Sequence, residues 1–179
     1  MGAGFSQLDP ELAAAARALV DAAAAARLQP RVTSTYRSHA EQTRLYRRFL
    51  AGQQGYPVAP PGFSAHEYGW AFDMVVSPMD ALADVGYTWQ QWGGAWNPGD
   101  AVHFELPGAS AEAERLGKEA VAKLASPPWW WEYATWLFPV KSLDVTGGLP
   151  IQNTQQYTDC ILNTRLPASE CRRRAGASY

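Results

Sequence analysis

The stretch SAHEYGWAFDMVV, residues 64–76, decides how this chain folds. Its second half, WAFDMVV (70–76), is the most apolar strand candidate in the sequence, and it carries a single charge, Asp73. Successive side chains of a strand point to opposite faces, so Asp73 shares its face with Ala71 and Val75. An ionised carboxylate in that position is unfavourable unless a cation or strong donors neutralise it. A metal ion is a direct solution. His66 lies just ahead of the strand, and His103, in DAVHFEL, sits in a second strand candidate at about 101–106. If the two strands are neighbours, two imidazole nitrogens and one carboxylate oxygen converge, a usual ligand set for catalytic zinc with a fourth position open to water. Taken alone, a histidine or an aspartate in an apolar strand is more often a satisfied core residue than a ligand.

Outward from this centre the chain alternates helices and strands. Asp9-Pro10-Glu11 is a helix start: a capping carboxylate, a proline suited to the first helical position and an acid at the positive end of the helix dipole. The helix is expected over about 10–28, with Leu12, Ala16, Leu19, Ala23 and Ala26 as a narrow stripe of small and apolar residues, before Pro30. RVTSTYRS, 31–38, is rich in β-branched residues and reads as a strand. Ser38 to Glu41 forms a capping box that opens a second helix over about 39–50.

The glycine- and proline-rich run 51–63 reads as a surface loop, and a short helix is expected after Pro78. YTWQQWGGAWNPGD, 87–100, reads as a glycine- and tryptophan-rich loop, and a last helix is expected over about 110–124, ended by Pro127 and Pro128. There is no internal repeat. The pattern predicts an α+β fold, a small, mostly antiparallel sheet with helices packed on one face.

Composition narrows the function classes. The chain has 179 residues, 47% of them hydrophobic and 18% charged, with 8 Trp, 8 Tyr and 6 Phe, which excludes a disordered, collagenous or coiled-coil protein. A net charge of −2 provides neither a basic nucleic-acid surface nor a polybasic membrane anchor. No run reaches the roughly 18 to 20 apolar residues needed to span a bilayer, so no integral membrane segment is expected. The first residues lack the ordered parts of a secretory signal.

The C-terminal part has a different character. Residues 1–126 hold the helix and strand pattern, whereas 127–179 carry Trp129, Trp130, Trp131 and Trp136, a turn-rich polar run and the basic triplet at 172–174. This extension is expected to dock on its own domain or to bind a protein partner or second copy through those tryptophans, which would be a liability exposed on a monomer. Cys160 and Cys171 allow one bridge in an oxidising compartment and two free thiols in a reducing one.

The order of motifs decides for the metal reading. The string Ser64-x-His66-x-x-Gly69-x-Ala71-x-Asp73, then Trp92-Gly93-Gly94-x-Trp96 and Asp100-x-x-His103-Phe104, resembles the M15 zinc peptidases that cut peptidoglycan peptides. These include D-alanyl-D-alanine carboxypeptidases and dipeptidases, and phage L-alanyl-D-glutamate endopeptidases. Ser34-x-Tyr36-Arg37-Ser38 with Gln42 is similar to a further segment of that family, and the resemblance covers about 32–106. It implies a fold shared with the hedgehog signalling domain, zinc ligands His66, Asp73 and His103, and Asp100 as catalytic base. It also implies that Arg37 offers a planar cationic fork to a substrate carbonyl or carboxylate. Carboxypeptidase members tend to carry Glu in place of Asp100 and Trp directly before the last histidine, where this sequence has Val102. Both departures favour an L-Ala–D-Glu endopeptidase acting on the peptidoglycan stem peptide.

Three functional expectations follow: that endopeptidase, of a phage lysin or virion-associated kind; a D-alanyl-D-alanine carboxypeptidase; or a phage tail or baseplate component with a peptidase-like module. The matching locations are a phage virion, or the host cytoplasm with release to the wall. Glu105 shares the strand face of His103 and either orients that imidazole, touches substrate or is an ordinary hydrogen-bonded glutamate. Ser64 has no evident base beside it and is expected to hydrogen-bond within the metal loop. His39 is expected to be exposed and Trp70 to fill the core, while Tyr68 and Trp92 fit either cleft or core.

Overall fold

The computed structural model describes residues 4–124, 126 and 128–130. The apolar run around Asp73 becomes the central strand of a four-stranded antiparallel sheet. The first helix, α1 (Pro10–Ala25), precedes β1 (Arg31–Ser34), and α2 (His39–Leu50) follows it. The central strand, β2 (Ala71–Val75), leads to α3 (Leu82–Gln91), β3 (Ala95–Trp96), β4 (His103–Glu105) and α4 (Ala109–Ala122). The strand order is β1-β2-β4-β3, so β2 is paired on both sides. Asp73 stands opposite His103 of β4 on one side and Ser34 of β1 on the other.

Alternation divides the two faces of β2. Phe72, Met74 and Val76 point into the main core, where Phe72 stacks on Phe104 at 5.2 Å between ring centres and meets Trp89 edge-on at 5.6 Å. Helix α1 contributes Leu12, Ala16, Leu19 and Ala23 to that core, and α3 contributes Leu82, Val85 and Trp89. Full burial of one such large side chain is worth about 1.5–3 kcal/mol, so this face supplies the stability that the other can spend on polar groups. On the other face Ala71 packs with Ala65 and Ala109, and Asp73 is left facing the cleft.

Element ends differ from expectation for local reasons. Helix α1 stops at Ala25 because Arg27 takes a left-handed conformation (φ 62°), its N–H bonding the Ala24 carbonyl and the Leu28 N–H the Ala23 carbonyl. This is a Schellman ending, here without glycine. Strand β1 ends at Ser34 because the following backbone bonds to the His66 segment instead of β2.

The 87–100 run is a loop only in part. Helix α3 runs through Gln91, with Leu82, Val85, Gly86 and Trp89 buried at helical spacing, and Ala95–Trp96 forms a strand too short to leave a pattern. Burial of Trp89, whose indole N–H donates to the Glu105 carbonyl at 3.1 Å, overrides the loop signal of the neighbouring glycines.

The chain divides into two units, 1–120 and 121–179, and the whole sheet lies in the first. The expected boundary, after residue 126, falls a few residues beyond that division. Of the C-terminal tryptophans, Trp129 is half-exposed and Trp130 is buried, whereas Trp131, Trp136, Cys160 and Cys171 lie outside the described residues. Among the described residues no helix is long and apolar enough to cross a membrane.

Gly86 tests the packing of α3. Helix propensity alone favours alanine there by about 1 kcal/mol. Yet a Cβ on Gly86 would lie 2.1 Å from a ring carbon of Trp96, so the helix and β3 could not keep their separation. Gly86→Ala is therefore expected to destabilise the protein by about 1–3 kcal/mol, read as a lower urea midpoint. An unchanged or raised midpoint would show that the Trp96 contact does not set the spacing.

Candidate metal centre

Three elements bring the metal-ligand candidates together. Asp73 is carried by β2 and His103 by β4, directly opposite in register. His66 sits in a short 3-10 turn, Ala65–Tyr68, just before β2. Oδ1 of Asp73 lies 3.2 Å from Nε2 of His66 and 3.1 Å from Nδ1 of His103. One ligand atom from each of the three falls within 4.8 Å of the others. Both imidazoles thus turn one nitrogen towards the same carboxylate oxygen.

Their remaining nitrogens are committed elsewhere. His66 Nδ1 is 2.7 Å from the Thr35 carbonyl, which fixes that nitrogen as the donor, and His103 Nε2 is 3.2 Å from Oε2 of Glu105. A neutral ring that keeps its proton on that nitrogen can offer the other, the one facing Asp73, as a lone pair to a metal. Two imidazoles and one carboxylate with a free coordination position are a set that suits zinc.

The turn that carries His66 is built by residues whose role the sequence did not declare. Glu67, buried beside it, accepts from the N–H groups of Gly62 at 2.8 Å and Ser64 at 3.4 Å and pairs with exposed His39 at 3.0 Å. Gly69 closes the turn with φ 73°, and a Cβ there would meet the Gln7 carbonyl at 2.8 Å. The His66 carbonyl accepts from the Arg37 N–H at 3.0 Å, so the segment after β1 grips the turn at both Thr35 and Arg37. The capping residues Ser64 and Glu67 are a recognisable pair at the sequence level, but the long-range carbonyl of Thr35 is not.

Arg37 is held in the same cleft. Its guanidinium donates to Gln42 at 2.8 Å and to Ser34 at 3.1 Å and stands 3.7 Å from Oδ2 of Asp73. Gln42 is fully buried and donates to the Ala59 carbonyl at 2.6 Å, tying α2 to the 51–63 loop that forms one wall. The cleft encloses about 430 Å³ and is lined by His66, Asp73, His103, Arg37 and Asp100.

Asp100 reaches it although strict strand alternation with His103 would turn it away. It belongs to a 3-10 turn, Pro98–Asp100, capped by Asn97, and the chain enters β4 only at His103. Tyr68 and Trp70 stack on each other at 4.8 Å between ring centres, and Trp92 is half-exposed; none of the three lines this cleft.

Hydrogen bonding sets the charge state of these groups against their burial. Burial alone would raise the Asp73 carboxyl, but hydrogen bonds from His103 and His66 hold it well below the usual carboxylate range. For His103 burial favours the neutral ring, yet its hydrogen bonds to Asp73 and Glu105 push it up to about 9. Glu105 is in turn held low, against its burial, by His103 and Ser110. A divalent ion among these ligand atoms would take the place of that proton.

No curated protein matches the chain. Among solved structures, VanYB in complex with D-alanine-D-alanine superposes with a TM-score of 0.49 at 19% identity, covering 67% of this chain and 82% of that one. The LD-carboxypeptidase LdcB superposes with a TM-score of 0.48 at 20% identity, covering 64% and 72%. The L,D-carboxypeptidase DacB from Streptococcus pneumoniae does so with a TM-score of 0.47 at 21% identity, covering 64% and 73%. Residues 5–135, well over half of the sequence, match the family described as VanY: D-alanyl-D-alanine carboxypeptidase. On that match the chain belongs to the VanY family, and it is a zinc peptidase that acts on peptidoglycan.

Proposed function

We propose that this protein hydrolyses the L-Ala–D-Glu bond of peptidoglycan stem peptides, with His66, Asp73 and His103 as zinc ligands and Asp100 as general base. The observation that carries the reading is the convergence of the three ligand groups at the floor of a cleft whose wall includes Asp100 and Arg37. When bound, zinc supplies Lewis acidity, polarising the scissile carbonyl and lowering the pKa of a water towards about 7. Asp100, exposed at the cleft edge, takes the proton of the attacking water and returns it to the leaving amine. Arg37, preset by Gln42 and Ser34, turns its cationic edge to the carbonyl oxygen as negative charge develops there.

Asp at position 100 and Val102 before the last histidine support the endopeptidase. The description of the matching family supports release of a terminal D-alanine instead, and it fits the same cleft equally well. Digestion of whole muropeptides followed by mass spectrometry separates the two. A new D-Glu amino terminus is expected; free D-alanine would replace the endopeptidase by the carboxypeptidase, and intact substrate in the presence of zinc would sink both.

Two predictions follow from the ligand and base assignments. The purified protein should hold close to one zinc per chain by elemental analysis, and His66→Ala, Asp73→Ala or His103→Ala should abolish stoichiometric binding. A folded wild-type protein without metal affinity would contradict the assignment. Asp100→Ala should keep its zinc and lose about 10²–10⁴-fold in turnover, since it removes proton transfer and no ligand. Near-normal turnover by zinc-loaded Asp100→Ala would take Asp100 out of the mechanism.

A further inference from the structure

We infer that Glu105 is a positioning residue of the metal centre, which holds the Nε2 proton of His103 so that Nδ1 is the nitrogen presented to the metal, and that Ser110 locks Glu105 in this role. The inference rests on the zinc reading above and assigns work to two residues that reading leaves unused. His103 and Glu105 are two apart on β4 and therefore share its cleft-side face, while Phe104 between them is fully buried in the core. The two nitrogens of the His103 ring then divide: Nδ1 faces Asp73 at 3.1 Å, and Nε2 faces Oε2 of Glu105 at 3.2 Å. A neutral imidazole has one donor and one acceptor nitrogen. With Nδ1 given to a metal, the one remaining ring proton sits on Nε2, where the Glu105 carboxylate is placed to accept it.

Glu105 is built to stay in place. Its side chain is only 14% exposed, and the same oxygen that meets His103 accepts the Ser110 hydroxyl at 2.5 Å. Its backbone carbonyl is pinned from the core side by the Trp89 indole at 3.1 Å. Its register partners on both neighbouring strands are alanines, Ala71 and Ala95, which leave room for the side chain to lie along the sheet. Ser110 stands in the first turn of α4, so this contact also ties that helix to β4. Because the His103 ring stands between Glu105 and Asp73, the carboxylate acts through the imidazole and does not itself take a ligand position.

The two histidines are thereby supported unequally. His66 leans on a neutral carbonyl, Thr35, whereas His103 leans on an anion, which makes its ring the more basic ligand. Removal of such a partner typically weakens metal affinity by about 10–100-fold.

The test is zinc affinity measured by competition with a chromophoric chelator, on the full chain, with the melting temperature of each metal-free protein recorded alongside. Glu105→Ala should bind zinc about 10–100-fold more weakly than wild type. Glu105→Gln, which keeps an acceptor oxygen for the Nε2 proton, should recover most of that loss. Should Glu105→Ala fail to fold, Ser110→Ala decides: it removes a single exposed hydroxyl and should weaken zinc binding several-fold. Zinc affinity of Glu105→Ala within twofold of wild type would overturn the inference. So would Glu105→Gln no better than Glu105→Ala, or, in the fallback, unchanged affinity of Ser110→Ala. A wild-type protein that binds no zinc would instead bring down the functional reading and this inference together.

Discussion

A single negative charge on the middle strand of a small sheet governs the arrangement of this protein. Asp73 is flanked in sequence by Phe72 and Met74, both fully buried, and its own side chain keeps only 19% of its surface. A carboxylate so placed must be met by donors. His66, His103 and Arg37 supply them from three separate segments, with Oδ1 facing the two imidazoles and Oδ2 facing the guanidinium. The requirement to neutralise one oxygen pair therefore dictates where the turn before β2, the strand β4 and the segment after β1 must lie.

The sheet can meet that requirement because its other face is a conventional core. Phe72, Phe104 and Trp89 form a cluster of stacked and edge-on rings under α1 and α3, so the backbone of β2 and β4 is held rigidly from below. A candidate ligand set spread over adjacent antiparallel strands inherits that rigidity. Asp73 and His103 are register partners, and the distance between them is fixed by backbone pairing more than by side-chain choice. His66, the third candidate ligand, comes from a turn, and there the rigidity is supplied by hydrogen bonds: Glu67 from within, Thr35 and Arg37 from across the fold.

Support around the cleft is graded by charge. The acceptor behind His66 is a peptide carbonyl, the acceptor behind His103 is a carboxylate, and Arg37 is held by a neutral amide and a hydroxyl while it faces Asp73. Asp100 stands apart from this network, on a turn capped by Asn97 at the rim, where its carboxylate meets solvent.

Much of this could be read from residues in a row. The helix start at Asp9-Pro10-Glu11, the Ser38 capping box and the alternation through 71–75 are local rules, and each describes what the structure contains because its physics acts over a few residues. The candidacy of His66, Asp73 and His103 was legible for the same reason: a charge in an apolar strand needs company, and histidines are scarce in this chain. Tertiary structure alone decided what depends on contacts distant in sequence. The helix through Gln91 forms because Trp89 is buried against β4, although Gly93 and Gly94 argue locally for a loop. β1 stops at Ser34 because Thr35 and Arg37 bond to the His66 turn some thirty residues away. The turn of Asp100 into the cleft, the burial of Gln42 behind Arg37 and the clasp of Glu105 between His103 and Ser110 are likewise set by packing. Hydrogen-bond partners are chosen by proximity in space, and neither residue type nor spacing encodes that proximity.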